Sequence, residues 1–225
     1  MTLIRNTVME LIGSMVFWGV AMLLIALVNT QEYTGWLQTF MIASSVGLGL
    51  IVGVAVSASA GEGHLNGAIT TAMAVDKETS WLSVPVHLVT QTAGFWLIAK
   101  LALLIGEQYV VVPLPAADAT RGQVLLAEGI AMVVFATGVA LTTRLDLGKW
   151  LPLWVGAWLT AAVMTAASVS GGAVNPTLAL GTQLATGQTG GVSGLWMLYW
   201  ITTILAAIVV GLVFRLIPSR AESTN

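Results

Sequence analysis

Three kinds of residue in this 225-residue sequence have the types and spacing to do chemistry. They are two asparagines opening short apolar segments, two glutamates inside long apolar stretches, and two histidines. Asn66-Gly67-Ala68 and Asn175-Pro176-Thr177 each follow a glycine-rich turn, with Gly61 and Gly63 before the first and Gly171 and Gly172 before the second. Asparagine caps a helix because its side-chain oxygen accepts from the orphan amides of the first turn. Its amide hydrogens are then available to a solute. If two such helices meet end to end in a bilayer, two donors and two positive dipole ends converge at one point. A neutral solute with a lone pair is accommodated there, and a cation meets an electrostatic barrier. Water in single file donates outward from that point, which hinders proton relay. The alternative, two unrelated helix caps, leaves the pairing unexplained.

Glu10 and Glu128 sit in apolar stretches, where a carboxylate at the bilayer centre costs roughly 2.5 to 3.5 kcal/mol on insertion scales. Their expected role is scaffolding, with each accepting backbone amides of a loop that carries a short segment. No nucleophile or metal ligand accompanies them, so a catalytic carboxylate pair is not supported. His64 and His87 are far apart in sequence and show no metal-ligand spacing, and neither a metal nor a cofactor is expected. His64 lines or braces an inner vestibule, or is a hydrogen-bonded structural histidine. His87 reads as a satisfied packing residue. Glu62 is either a partner for His64 at the inner mouth or a solvated loop charge. With no cysteine, disulfides, thiolate metal sites and cysteine nucleophiles are excluded. The net charge of -2 offers no support for a nucleic-acid partner.

The elements that must position these residues follow from composition. Apolar residues make up 57% and charged residues 8% of the chain, with a mean hydropathy of +0.91. A soluble domain carries roughly 25% charged residues, so this chain belongs among membrane lipids. Six apolar stretches are long enough to span a bilayer: 8–28, 38–58, 82–106, 123–143, 151–169 and 195–217. The first is too long for a signal-peptide core and lacks a cleavage site. Trp36, Trp81, Trp150 and Trp196 lie near the ends of spans, as an interfacial belt requires. Two shorter pieces, 65–75 and 174–186, do not reach across and read as half-helices. Irregular backbone at membrane depth is tolerated only where protein buries it or a watery cavity runs past it, which argues for a pore. Arg5, Lys77, Arg144, Lys149, Arg215 and Arg220 fall on one side and only Lys100 and Arg121 on the other, placing both termini in the cytoplasm. Each half reads as a helix bearing a glutamate, a helix, a half-helix and a helix. The chain is thus one domain over 1–225, with inverted repeats over about 1–106 and 121–217.

Gly63-His64-Leu65-Asn66-Gly67-Ala68, and Gly171 to Thr177 with Leu180-Gly181, resemble the two signature loops of the aquaporin and glycerol-facilitator family. Glu10, Glu128, Gln91 and Gly94 also fall where that family has them. The resemblance covers essentially the whole chain. It implies an all-α membrane fold of six transmembrane helices and two half-helices, a homotetramer with a pore in each protomer, and no enzymatic activity. Counting from the two asparagines, the family's selectivity positions become Val46, Val163, Gly172 and Leu178. Water-selective members commonly carry His at the second of these, and most members carry Arg at the fourth. Val163 and Leu178 leave this filter apolar and wider. Two further departures are Gly67 in place of proline, which loosens the start of the first half-helix, and Thr202-Thr203 where many relatives have Gly-Pro.

The expected function is therefore a passive channel for small uncharged solutes: glycerol or urea-like molecules, ammonia or neutral metalloid species, with water. A water-selective channel and a closed structural or regulatory membrane protein are the alternatives. The expected partners are membrane lipid and the solute, in a plasma membrane.

Overall fold

The computed structural model describes residues 2–145, 147–188 and 195–217, and within them all regular structure is helical. Eight α-helices follow in order: α1 (Thr2–Asn29), α2 (Gly35–Ser57), α3 (Gly67–Val75), α4 (Ser83–Ile105), α5 (Arg121–Arg144), α6 (Leu151–Ser170), α7 (Pro176–Thr186) and α8 (Leu195–Arg215). Six of them are long and apolar enough to cross a membrane; α3 and α7 are not. The order long, long, short, long therefore occurs twice.

Local chemistry explains most boundaries. Thr120 and Gln123 form a reciprocal capping box at the start of α5, and Pro176 opens α7, where its missing N–H is no loss. Gly171 ends α6 in the left-handed conformation that favours glycine. The one clear difference from the expected spans is α1, which begins about six residues earlier than its apolar run. The added turns carry Asn6, whose amide donates to Glu62 Oε1 at 2.7 Å, so a polar start to the helix is held by a distant loop.

Packing follows the same doubled plan. α1 contacts α2 and α4, α5 contacts α6 and α8, and α2 against α6 joins the halves. Each half-helix packs on the last long helix of the other half, α3 on α8 and α7 on α4. Small residues permit these crossings. A Cβ on Gly47 would lie 2.7 Å from the Gly156 carbonyl oxygen, and one on Gly156 would lie 2.7 Å from that of Gly47. Such close backbone approach supplies the van der Waals packing that holds helices together in lipid. Outward, Leu23, Leu104, Leu126 and Leu205 are exposed, as lipid-facing positions require.

Candidate functional site

The two asparagines cap their half-helices in the same way. Asn66 Oδ1 accepts from the amides of Ala68 and Ile69, at 3.0 and 3.4 Å. Asn175 Oδ1 accepts from those of Thr177 and Leu178, at 3.1 and 3.2 Å. Their amide nitrogens cross over. Asn66 Nδ2 donates to the Val174 carbonyl at 2.8 Å, and Asn175 Nδ2 to the Leu65 carbonyl at 2.9 Å. One hydrogen of each amide is thus tied to the opposite loop, and one remains. The two half-helices are held nose to nose by a reciprocal pair of bonds.

The residues accepting those bonds carry strain. Leu65 and Val174, each directly before its asparagine, have φ of 51° and 45°. A non-glycine residue there costs about 1–3 kcal/mol and persists only where surroundings over-determine it. The two glutamates supply that constraint. Glu10 accepts from the amides of His64 and Leu65 at 2.7 and 2.8 Å. Glu128 accepts from those of Ala173 and Val174 at 2.9 and 2.7 Å. Each strained residue is therefore gripped at its N–H by a glutamate and at its carbonyl by an asparagine. The third partner breaks the symmetry: Ser170 Oγ donates to Glu128 at 2.6 Å, whereas Gln91 Nε2 donates to Glu10 at 2.7 Å.

Gln91 also joins the halves. Its Oε1 accepts from Thr177 Oγ1 at 3.2 Å, and the same hydroxyl lies 2.8 Å from Asn175 Oδ1. A buried chain of polar groups thus runs from Glu10 through Gln91 to the second asparagine. Gly67 has a packing role beyond the looseness expected of it. A Cβ there would collide with Leu88 Cδ2 and lie 2.8 Å from Thr177 Cγ2. Glycine at 67 makes room for threonine at 177, where the two half-helix starts touch. Ala68 is fully buried in the first turn of α3, and Pro176 is buried at the start of α7. Thr202 donates to the Leu125 carbonyl at 2.7 Å, docking α8 on α5 through a hydrogen bond.

Val46, Val163 and Leu178 are buried members of one apolar cluster, and Gly172 is buried beside them. A Cβ on Gly172 would sit 3.1 Å from Val163 Cγ1, so these two positions are in direct contact. Val46 precedes Gly47 at the crossing of α2 and α6. Beside α3 lies a cavity of about 240 Å³, with Val54, Met73, Phe135 and Val155 among its apolar walls and Glu62 and His64 as polar lining.

The histidines correct the sequence reading. Although 23 positions separate them, their ring centroids are 5.7 Å apart. Glu62 Oε2 lies 3.6 Å from His64 Nδ1 and 3.7 Å from His87 Nδ1. His87 is fully buried, yet among the described residues neither of its ring nitrogens has a hydrogen-bond partner, so it is not a satisfied packing residue there. Nor is Glu62 a free loop charge, since Asn6 and Thr79 both donate to it. Burial holds the His64 imidazole below its usual pKa, against the raising effects of Glu10 and Glu62 and with a smaller lowering from His87. Sequence reasoning also missed Arg144, which donates to both Asp76 carboxylate oxygens at 2.8 Å and to the Phe214 and Ile217 carbonyls.

Comparison with known proteins places this geometry in a family. The family model described as major intrinsic protein matches residues 1–214. Aquaporin NIP3-1 of Zea mays is 26% identical over 229 residues, covering 99% of this chain and 73% of the relative. Probable aquaporin TIP2-2 of Oryza sativa subsp. japonica is 26% identical over 181 residues, covering 75% of this chain and 68% of that one. In fold, the chain is similar to the aquaglyceroporin from Plasmodium falciparum, with a TM-score of 0.78, 18% identity, and coverage of 99% and 98% of the two chains. A multi-pass chain with two capped half-helices meeting nose to nose, matched along nearly its whole length, belongs to the major intrinsic protein family of membrane channels.

Proposed function

We propose that this channel conducts small uncharged solutes passively, with water as co-permeant, and that Val46, Val163, Gly172 and Leu178 form its selectivity filter. The observation that carries the reading is the absence of any cationic or imidazole side chain at those four positions, two of which touch. Diameter, lining donors and electrostatic barriers set selectivity in such pores. Without Arg at 178 the filter loses a fixed donor and a positive barrier, and without His at 163 it is wider. Asn66 and Asn175 then supply the polar contact midway, each with one amide hydrogen not taken by the opposite loop. Glu10, Glu128 and Gln91 hold the loops that place them, and His64 lines the inner vestibule. This combination suits glycerol and urea-like molecules, ammonia and neutral metalloid acids.

We place the protein in the plasma membrane as a homotetramer with both termini in the cytoplasm, on the distribution of Lys and Arg and on its family membership. Purified protein reconstituted into proteoliposomes and mixed with a panel of these solutes in a stopped-flow cell tests the reading. Solute-driven swelling faster than that of protein-free vesicles is expected for at least one solute besides water. Water flux alone favours a water-selective pore, and uniform background rates contradict the proposal.

A further inference from the structure

Glu10, Glu62, His64 and His87 cluster at the loop before the first half-helix, and their donor set is that of a metal site. Three buried ring nitrogens, His64 Nδ1 and both nitrogens of His87, have no hydrogen-bond partner among the described residues. A buried nitrogen left without a partner costs about 1–3 kcal/mol, so three together call for a ligand that satisfies them. One ligand atom each from Glu10, His64 and His87 all lie within 4.8 Å of one another. Glu62 Oε2 stands 3.6 and 3.7 Å from the two Nδ1 atoms. Around a tetrahedral zinc ion with bonds of about 2.0–2.1 Å, neighbouring ligand atoms are about 3.4 Å apart. The observed separations from Glu62 are within a few tenths of that value. They are too long for hydrogen bonds, which leaves those nitrogens uncommitted.

We propose that Glu10, His64 and His87 bind a divalent transition cation of the zinc class at the channel mouth, with the Glu62 carboxylate in reach as a fourth ligand.

The surroundings fit. Two carboxylates and two imidazoles suit a borderline cation better than magnesium or calcium, which take oxygen ligands. The Glu62 carboxylate is aimed by Asn6 and Thr79, as outer partners aim metal ligands. Among the described residues Glu10 Oε1 accepts from the His64 amide alone, at 2.7 Å, and so retains a lone pair. Glu62 and His64 line the cavity beside the first half-helix, and on the channel reading a cation bound there obstructs the conduit. Binding itself does not depend on which solute passes; the obstruction rests on the channel reading.

The experiment is titration of full-length, metal-stripped protein in detergent with zinc(II) by calorimetry, and with cobalt(II) by visible absorption. One saturable zinc site per chain is expected, with cobalt bands showing low-symmetry nitrogen and oxygen ligation. His87→Phe and Glu62→Gln should each weaken zinc binding at least tenfold while eluting and melting as folded protein. No saturable site in the native protein, or affinity unchanged in both variants, overturns the proposal. In proteoliposomes, zinc on the Glu62 side should slow solute flux in the native protein and not in His87→Phe. Zinc binding without loss of flux overturns the obstruction. Zinc binding to a protein that passes no solute contradicts the channel reading and leaves the metal site standing.

Discussion

Glu10 and Glu128 do the same work at two places, and their replacement separates scaffold from chemistry. Glutamine keeps one acceptor oxygen and turns the other into a donor facing a backbone N–H, at about 1–3 kcal/mol per buried group left unsatisfied. Both replacements disturb a turn and a third donor, but the Ser170 hydroxyl freed by Glu128→Gln can turn to the Ala166 carbonyl. The Gln91 amide facing Glu10→Gln is left, among the described residues, with the Thr70 hydroxyl at 3.2 Å. Both variants should melt earlier in detergent, Glu10→Gln the more so, as differential scanning fluorimetry will report. Gly67 and Thr177 make a second residue-scale pair. Gly67→Ala overpacks the junction at about 1–3 kcal/mol. Thr177→Ser removes the Cγ2 that the added methyl would meet and keeps the hydroxyl that reaches Gln91. In a double-mutant cycle read by thermal melting, the serine should recover part of the loss. Additive effects would mean that Leu88 alone limits the site.

At the scale of elements, Arg144 ties the end of half-helix α3 to the ends of α5 and α8, through Asp76 and two carbonyls. Arg144→Ala strands the mostly buried Asp76 carboxylate, a loss of about 3 kcal/mol at the low end of the range for buried pairs. Asp76→Asn should cost less, since the two carbonyls keep their donor; equal melting temperatures for the two variants would argue against the clamp. The six spans and two half-helices were legible in the sequence because apolar run length and asparagine caps are local signals. The start of α1 was not, because Arg5 and Asn6 look like a helix boundary until the Glu62 contact, 56 positions away, is known. Nothing in a leucine or a valine announces the left-handed backbone of Leu65 and Val174. The meeting of His64 and His87 depends on how α4 packs against the loop before α3, which no spacing rule expresses. The glutamates were readable as loop anchors, since a carboxylate in an apolar helix needs donors and a glycine-rich loop offers them.

Among the described residues the order long, long, short, long helix occurs twice, and the two sets join where their short helices touch. The crossed asparagine bonds and paired glutamates recur in both halves; Gln91, Thr177, Glu62 and the two histidines do not. Val46, Val163 and Leu178 share one buried apolar cluster, and Glu62 and His64 line a cavity beside α3. The central claim is that the apolar filter sets what passes. Its most direct test is the ratio of glycerol to water permeability in proteoliposomes, for the native protein and for Leu178→Arg with matched reconstitution. The native protein should pass glycerol above the lipid background. The arginine should lower that ratio by on the order of tenfold, a barrier change of about 1.4 kcal/mol, with water flux retained. A native protein that excludes glycerol, or a ratio indifferent to the arginine, would contradict it.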